Sequence, residues 1–167
     1  MSNTSPHDSS KHDSNDRGLN DRGFSVRALG EVAIRCRDIE AMTLFYRDII
    51  GLEILYGDHR SDIVFFKIDE GFAGHTSVLA LFRHDAGRTD LHAVSDHPPA
   101  TGAGSSLHHI ALSLPYAEQQ AVMDWYEQQN IEYRVEVFDW VGWRGIFTED
   151  PEGNTVELVA YDQSLLS

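Results

Sequence analysis

Alternation of apolar and polar positions first appears at residues 29–36. There Val32, Ile34 and Cys36 fall on one side of an extended chain, and Glu31, Ala33 and Arg35 on the other. The period then changes. Ile39, Met42, Phe45, Tyr46 and Ile49 recur at three- and four-residue spacing, which predicts a helix over 38–48 with Asp38 as N-cap and Gly51 as stop. Runs at 52–56, 62–68 and 75–82 read as strands parted by turns containing Gly and Asp. The same order then recurs. Residues 107–114 read as a strand, with Ile110, Leu112 and Leu114 on one side and His109, Ala111 and Ser113 on the other. A helix is predicted over 116–129, burying Ala117, Ala121, Val122, Trp125 and Tyr126. Strands at 131–137, 143–148 and 155–161 follow, the last two joined by the turn Asp150-Pro-Glu-Gly-Asn154. The predicted fold is α+β: two tandem βαβββ modules, at 28–84 and 107–162, forming a curved mixed sheet around a central cup. Two local matches carry the duplication: Glu31-Val-Ala-Ile with His109-Ile-Ala-Leu, and Ser77-Val-Leu-Ala-Leu with Asn154-Thr-Val-Glu-Leu.

Outside the modules the pattern fades. Residues 1–27 are rich in Ser, Asp, Asn and Gly and are predicted to be a disordered tail, residues 85–106 a surface linker, and residues 163–167 a C-terminal tail. His7 and His12 in the first tail, and His84, His92 and His97 in or beside the linker, read as solvated. The net charge is −14, and in residues 1–27 four basic residues cancel four acidic ones, so the part after residue 27 carries the whole excess. That argues against nucleic acid and anionic membrane as partners. No apolar run approaches the ~18 residues of a membrane span. The N-terminal segment lacks a secretory pattern, and the lone Cys36 permits no intramolecular disulfide, so a cytoplasmic location is expected.

The duplication points to a site. By the two matches, Glu31 corresponds to His109 and Ala80 to Glu157, and in the two opening strands Glu31 and His109 lie opposite the helix-packing face. If those faces curve into one cup, Glu31, His109 and Glu157 converge on its floor. One imidazole and two carboxylates suit one divalent ion (Fe, Mn, Zn, Ni or Co), with open positions for substrate. Glu157 sits mid-strand among apolar neighbours and needs a partner. The metal is one candidate, and Arg35 or Arg144 is another. Trp140, Trp143 and Arg144 would rim the second half of the cup, where indole and guanidinium groups suit a planar or carboxylated organic ligand, or clamp the hairpin to the helix. Arg35 and Phe147 complete the candidate substrate-binding set. Alternation sends His108 to the other face, and Phe65, Phe66 and Phe82 read as core.

Four stretches carry a resemblance: Glu31-Val-Ala-Ile-Arg-Cys-Arg-Asp-Ile-Glu40, Leu44-Phe-Tyr-Arg-Asp-Ile-Ile-Gly-Leu-Glu53, His108-His-Ile-Ala-Leu112 and Asp150-Pro-Glu-Gly-Asn-Thr-Val-Glu-Leu158. Over about residues 28–161 the chain resembles the vicinal oxygen chelate superfamily of glyoxalases, extradiol dioxygenases, fosfomycin-resistance enzymes, epimerases and bleomycin-resistance proteins. The resemblance implies metal ligation by His109 and Glu157, with Glu31 where most members have His. Ala80 stands where glyoxalases and epimerases have a fourth ligand, and Phe147 where ring-cleaving dioxygenases have a tyrosine. The implied activity is dioxygenase-like or lyase/isomerase chemistry on a small organic substrate bound through neighbouring oxygens. The alternative is a metal-free protein that sequesters an aromatic compound. The resemblance also implies a cup built within one chain or by exchanging modules in a homodimer.

Overall fold

The computed structural model describes residues 24–86 and 100–167. The expectations for His7, His12, His92 and His97, and for most of the tail and linker, lie outside these residues. The first module runs β1 (Glu31–Cys36), α1 (Ile39–Leu44), β2 (Glu53–Tyr56), β3 (Ile63–Phe72) and β4 (His75–Arg83). The second runs β5 (Ile110–Ser113), α2 (Gln119–Gln128), β6 (Arg134–Phe138), β7 (Trp143–Glu149) and β8 (Thr155–Tyr161). Each module folds into a four-stranded mixed sheet, ordered β1-β4-β3-β2 and β5-β8-β7-β6, with the opening strand parallel to the closing one. The predicted βαβββ duplication is the observed architecture.

Local chemistry sets the element ends. The Asp38 carboxylate accepts from the Ala41 amide at 2.9 Å, satisfying a first-turn donor of α1. The helix loosens into a π-turn at Phe45–Ile49, and Gly51, at φ +85°, ends it. The turn after β7 is organised by Asp150. Its buried carboxylate accepts from the backbone amides of Glu152 and Asn154 and from the Asn154 side chain, at 2.8–3.0 Å. It also accepts from the Tyr46 hydroxyl, on the π-turn that follows α1, at 3.1 Å, which ties the second module to the first.

The helix of the second module departs from the predicted stripe. Its first turn is a 3₁₀ turn at Tyr116–Glu118, and Ala117, Ala121 and Trp125 face outward while Gln119, Val122, Met123 and Tyr126 face in. Gln119 is buried because its amide is fully used. It donates to the carbonyls of Arg144 at 2.7 Å and Leu158 at 3.1 Å, and accepts from Arg144 Nε at 2.6 Å. An apolarity count penalises a glutamine, and that rotated the predicted face.

One core joins the modules. Ile39 and Met42 of α1, with Phe45 and Tyr46 of the π-turn after it, pack on Val64, Phe66, Leu79 and Leu81 of the first sheet and also on Ile110 and Val156 of the second. Ile49 and Ile50, after α1, continue into the cluster around Tyr126, Ile146 and Leu158, and Trp125 Nε1 donates to the Ile49 carbonyl at 3.1 Å. Full burial of a side chain the size of Phe66 contributes about 1.5–3 kcal/mol. The helix-bearing faces therefore look inward across α1, and the opposite face of each sheet is turned away from this shared core.

Candidate metal centre

The outward face of the second sheet carries the chemistry. His109 precedes β5, and Glu157 lies mid-β8, where pairing of Ala111 with Glu157 and Phe147 with Glu157 puts it at the centre of the sheet. The Glu157 residue is only 6% exposed, and its Oε2 stands 3.3 Å from His109 Nε2. His109 is its only polar partner among the described residues. Neither Arg35 nor Arg144 pairs with it. Burial pushes the Glu157 carboxyl above the ordinary range, and the neighbouring His109 offsets part of that rise.

Gly145 makes room for this carboxylate. A side-chain carbon there would collide with Glu157 Oε1 and come within 2.7 Å of the Phe147 ring. Phe147 lies edge-on to His109, with ring centroids 6.4 Å apart, and the Arg134 guanidinium covers it at 4.7 Å. Arg134 also pairs with Glu136 at 2.9 Å. A cavity of about 430 Å³ opens beside this group, lined by Tyr133, Arg134, Phe147 and Glu149 among others.

The remaining sequence-predicted residues divide by location. Glu31 and Arg35 are exposed on the outward face of the first sheet. Glu31 makes no hydrogen bond or ion pair among the described residues, and no three His, Cys, Asp or Glu side chains there form a group able to hold a metal. A floor shared by Glu31, His109 and Glu157 within one chain is therefore not formed; the outward faces diverge from the common core. The duplication itself is matched in register, since Ala33 pairs with Ala80 as Ala111 pairs with Glu157. Trp143 is half-exposed on the outward face opposite Tyr161, and Trp140 is exposed in the β6–β7 turn. Arg144 faces the helix, its guanidinium 4.3 Å over the Tyr116 ring. Phe66 is core as expected, whereas Phe65 and Phe82 are half-buried, with ring centroids 6.4 Å apart and planes tilted, on the first outward face beside buried Ala80.

His108 does not turn to the opposite face. It lies two residues before β5, where strand alternation does not yet apply, and its Nδ1 lies 2.7 Å from His109 Nδ1. Sequence reading also missed Gly145 and Arg134. The signal for Gly145 was a glycine inside a strand, which often marks close approach of another group.

The pair fits part of a metal site. Ligands bonded at ~2.1 Å to one cation stand about 3.0 Å apart at right angles and about 3.4 Å apart in a tetrahedron. The 3.3 Å between His109 Nε2 and Glu157 Oε2 falls in that range. An imidazole with a buried carboxylate is also a donor set that first-row divalent ions favour.

Solved structures share the fold. A lactoylglutathione lyase from Agrobacterium tumefaciens is 24% identical, with TM-score 0.58 over 81% of this chain and 95% of that one. The fosfomycin resistance protein FosX from Listeria monocytogenes is 18% identical, with TM-score 0.56 over 84% and 98%. A glyoxalase/dioxygenase from Nostoc punctiforme is 17% identical, with TM-score 0.55 over 98% and 100%. Comparison with curated proteins finds no match. The model of the Glyoxalase/Bleomycin resistance protein/Dioxygenase superfamily matches residues 28–158. With the duplicated βαβββ fold and a match over most of its length, the chain belongs to the glyoxalase/bleomycin resistance protein/dioxygenase superfamily.

Proposed function

We propose that this protein is a divalent-metal-dependent enzyme acting on a small organic molecule that offers two neighbouring oxygens to the cation. His109 and Glu157 of one copy, with Glu31 of a second copy, would hold that cation. The observation that carries the reading is the buried Glu157 carboxylate, 3.3 Å from His109 Nε2 and otherwise unpaired among the described residues. A buried charge without compensation is costly, and a cation would compensate it. Metal dependence is common in the superfamily. When bound, the cation would supply Lewis-acid stabilisation of negative charge developing on substrate oxygen.

The placement of the two outward faces, each away from the shared core, supports a second copy. Glu31 is exposed and unpaired on one, and the His109–Glu157 pair lies on the other. A homodimer that sets the first face of each copy against the second face of its mate brings the three together. Arg35 and Trp143 would then border the substrate, and Phe147 would form an apolar wall beside His109. Phe147 has no hydroxyl, so this position supplies no phenolic proton donor, which favours lyase or isomerase chemistry over catechol cleavage. Trp140, exposed in its turn, could rim the opening. Arg144 is committed to Gln119 and Tyr116, so its part is to hold the second sheet to its helix.

Elemental analysis of protein purified without chelator, followed by titration with Mn(II), Fe(II), Co(II), Ni(II) and Zn(II), tests the proposal. Stoichiometric binding that is lost in His109→Ala and Glu157→Gln is expected. Failure of every ion to bind would overturn it. One observation favours a second reading, metal-free sequestration of an aromatic compound: Ala80, Phe65 and Phe82 make the first outward face apolar where the second has its carboxylate. Tryptophan quenching by aromatic ligands, insensitive to chelator, would support that reading instead.

A further inference from the structure

Residues 107–167 contain eleven Asp and Glu, two Arg and no Lys. Arg144 is committed to Gln119 and Tyr116 on the helix side. Within these residues Arg134 is therefore the only permanent cation on the outward face that carries His109 and Glu157. It stands one phenyl ring from that pair. Its guanidinium lies 4.7 Å over the Phe147 ring, and Phe147 meets His109 edge-on with centroids 6.4 Å apart. Strand pairing fixes the row, because Arg134 pairs with Phe147 and Phe147 with Glu157. The cavity of about 430 Å³ opens at the same row, lined by both Arg134 and Phe147.

Little holds Arg134 where it is. Among the described residues it makes one hydrogen bond, from Nη1 to Glu136 Oε1 at 2.9 Å, and both side chains are exposed. An exposed pair of this kind contributes little to stability. A guanidinium carries five N–H groups in a planar fork, so most of these donors are open to a ligand. We propose that Arg134 binds a carboxylate arm of the substrate, which makes the substrate a small organic acid whose carboxylate stands apart from the two oxygens given to the cation. The inference rests on the metal-dependent reading above. The arm's carboxylate accepts two parallel N–H bonds from the fork, and its carbon chain lies against Phe147. A chain of net charge −14 repels an organic anion at long range, so binding one needs a cation at the site itself. Glu132 and Glu149 line the same cavity, both exposed and with no side-chain partner among the described residues. They repel a second negative charge, so the arm is a single carboxylate and not a phosphate.

The test is calorimetric titration of the Co(II)-loaded full chain with malate, 2-hydroxyglutarate and 2-hydroxyadipate, each set against the 2-hydroxymonocarboxylate of the same chain length. Both members of each pair present a hydroxyl and a carboxylate to the cation and differ only in the arm. In wild type at least one dicarboxylate should bind about 10–100-fold more tightly than its partner, the range set by hydrogen bonds to a charged group. Arg134→Gln should erase that preference, and Arg134→Lys should keep only part of it, because an ammonium lacks the fork. Glu136→Gln, which releases the guanidinium from its partner, should keep or strengthen the preference. A preference that survives Arg134→Gln, or a wild type that binds the members of every pair alike or not at all, overturns the inference and leaves the metal reading intact. Loss of Co(II) uptake in Arg134→Gln overturns it too, since the residue would then support the fold. A wild type that takes up no divalent ion overturns the metal reading and this inference with it.

Discussion

At the residue scale, the site depends on a carboxylate that the fold buries before any ligand arrives. Glu157 has a single polar neighbour among the described residues, and its cradle is the missing side chain of Gly145. Gly145→Ala should drive Glu157 and Phe147 from their places. Denaturant unfolding is expected to show a loss of about 1–3 kcal/mol, since overpacking a filled interior costs that much, and metal titration to show weakened binding. The pH dependence has a definite sign. Burial raises the Glu157 carboxyl in the folded chain above its unfolded value. Between the two values the folded state binds more protons, so the Glu157 contribution to stability falls as pH rises through that window. Glu157→Gln removes this component. In chelator, the variant should gain on wild type as pH rises from the ordinary carboxylate range towards neutrality, and the difference should become independent of pH in acid. Urea midpoints measured across that range check it. Parity along 155–161 was enough to mark Glu157 as a mid-strand charge needing a partner. It could not reveal Gly145 as its cradle, because a cross-strand approach leaves no local pattern.

At the element scale, hydrogen bonds of single buried groups settle what apolar period leaves open. Asp38, Gly51 and the Asp150–Asn154 turn were legible because caps and tight turns are written in adjacent residues. The inward face of α2 was not legible, because Gln119 is buried through partners on β7 and β8, far away in sequence. The same applies to Asp150, whose bond to Tyr46 joins turn to helix. Asp150→Ala should cost about 3 kcal/mol, since it strips a buried tyrosine hydroxyl and several amide donors of their acceptor. Tyr46→Phe should cost only about 1 kcal/mol, because it removes the donor and leaves the carboxylate its turn partners. Thermal or denaturant unfolding of the two variants compares them directly. Similar losses for both would mean that the turn, rather than the link between modules, is of little consequence.

At the scale of the whole molecule, the repeat was readable and the arrangement of its copies was not. Glu31-Val-Ala-Ile and His109-Ile-Ala-Leu announced two modules, and the matching registers of Ala80 and Glu157 bear the alignment out. Which faces the modules share depends on α1, whose apolar positions serve both sheets at once. A helix buried on two sides and one buried on one side can show similar spacing, so sequence placed Glu31 beside His109 when the fold turns the two faces apart. In the proposed reading Glu31 meets His109 and Glu157 only across two copies. Mixing Glu31→Gln protein with Glu157→Gln protein under conditions that let subunits exchange tests this most directly, with Co(II) binding as the readout. Each variant alone should bind poorly, and the mixture should regain tight binding, because a hybrid dimer holds one intact Glu31–His109–Glu157 set. A mixture that binds no better than its two components would contradict the account.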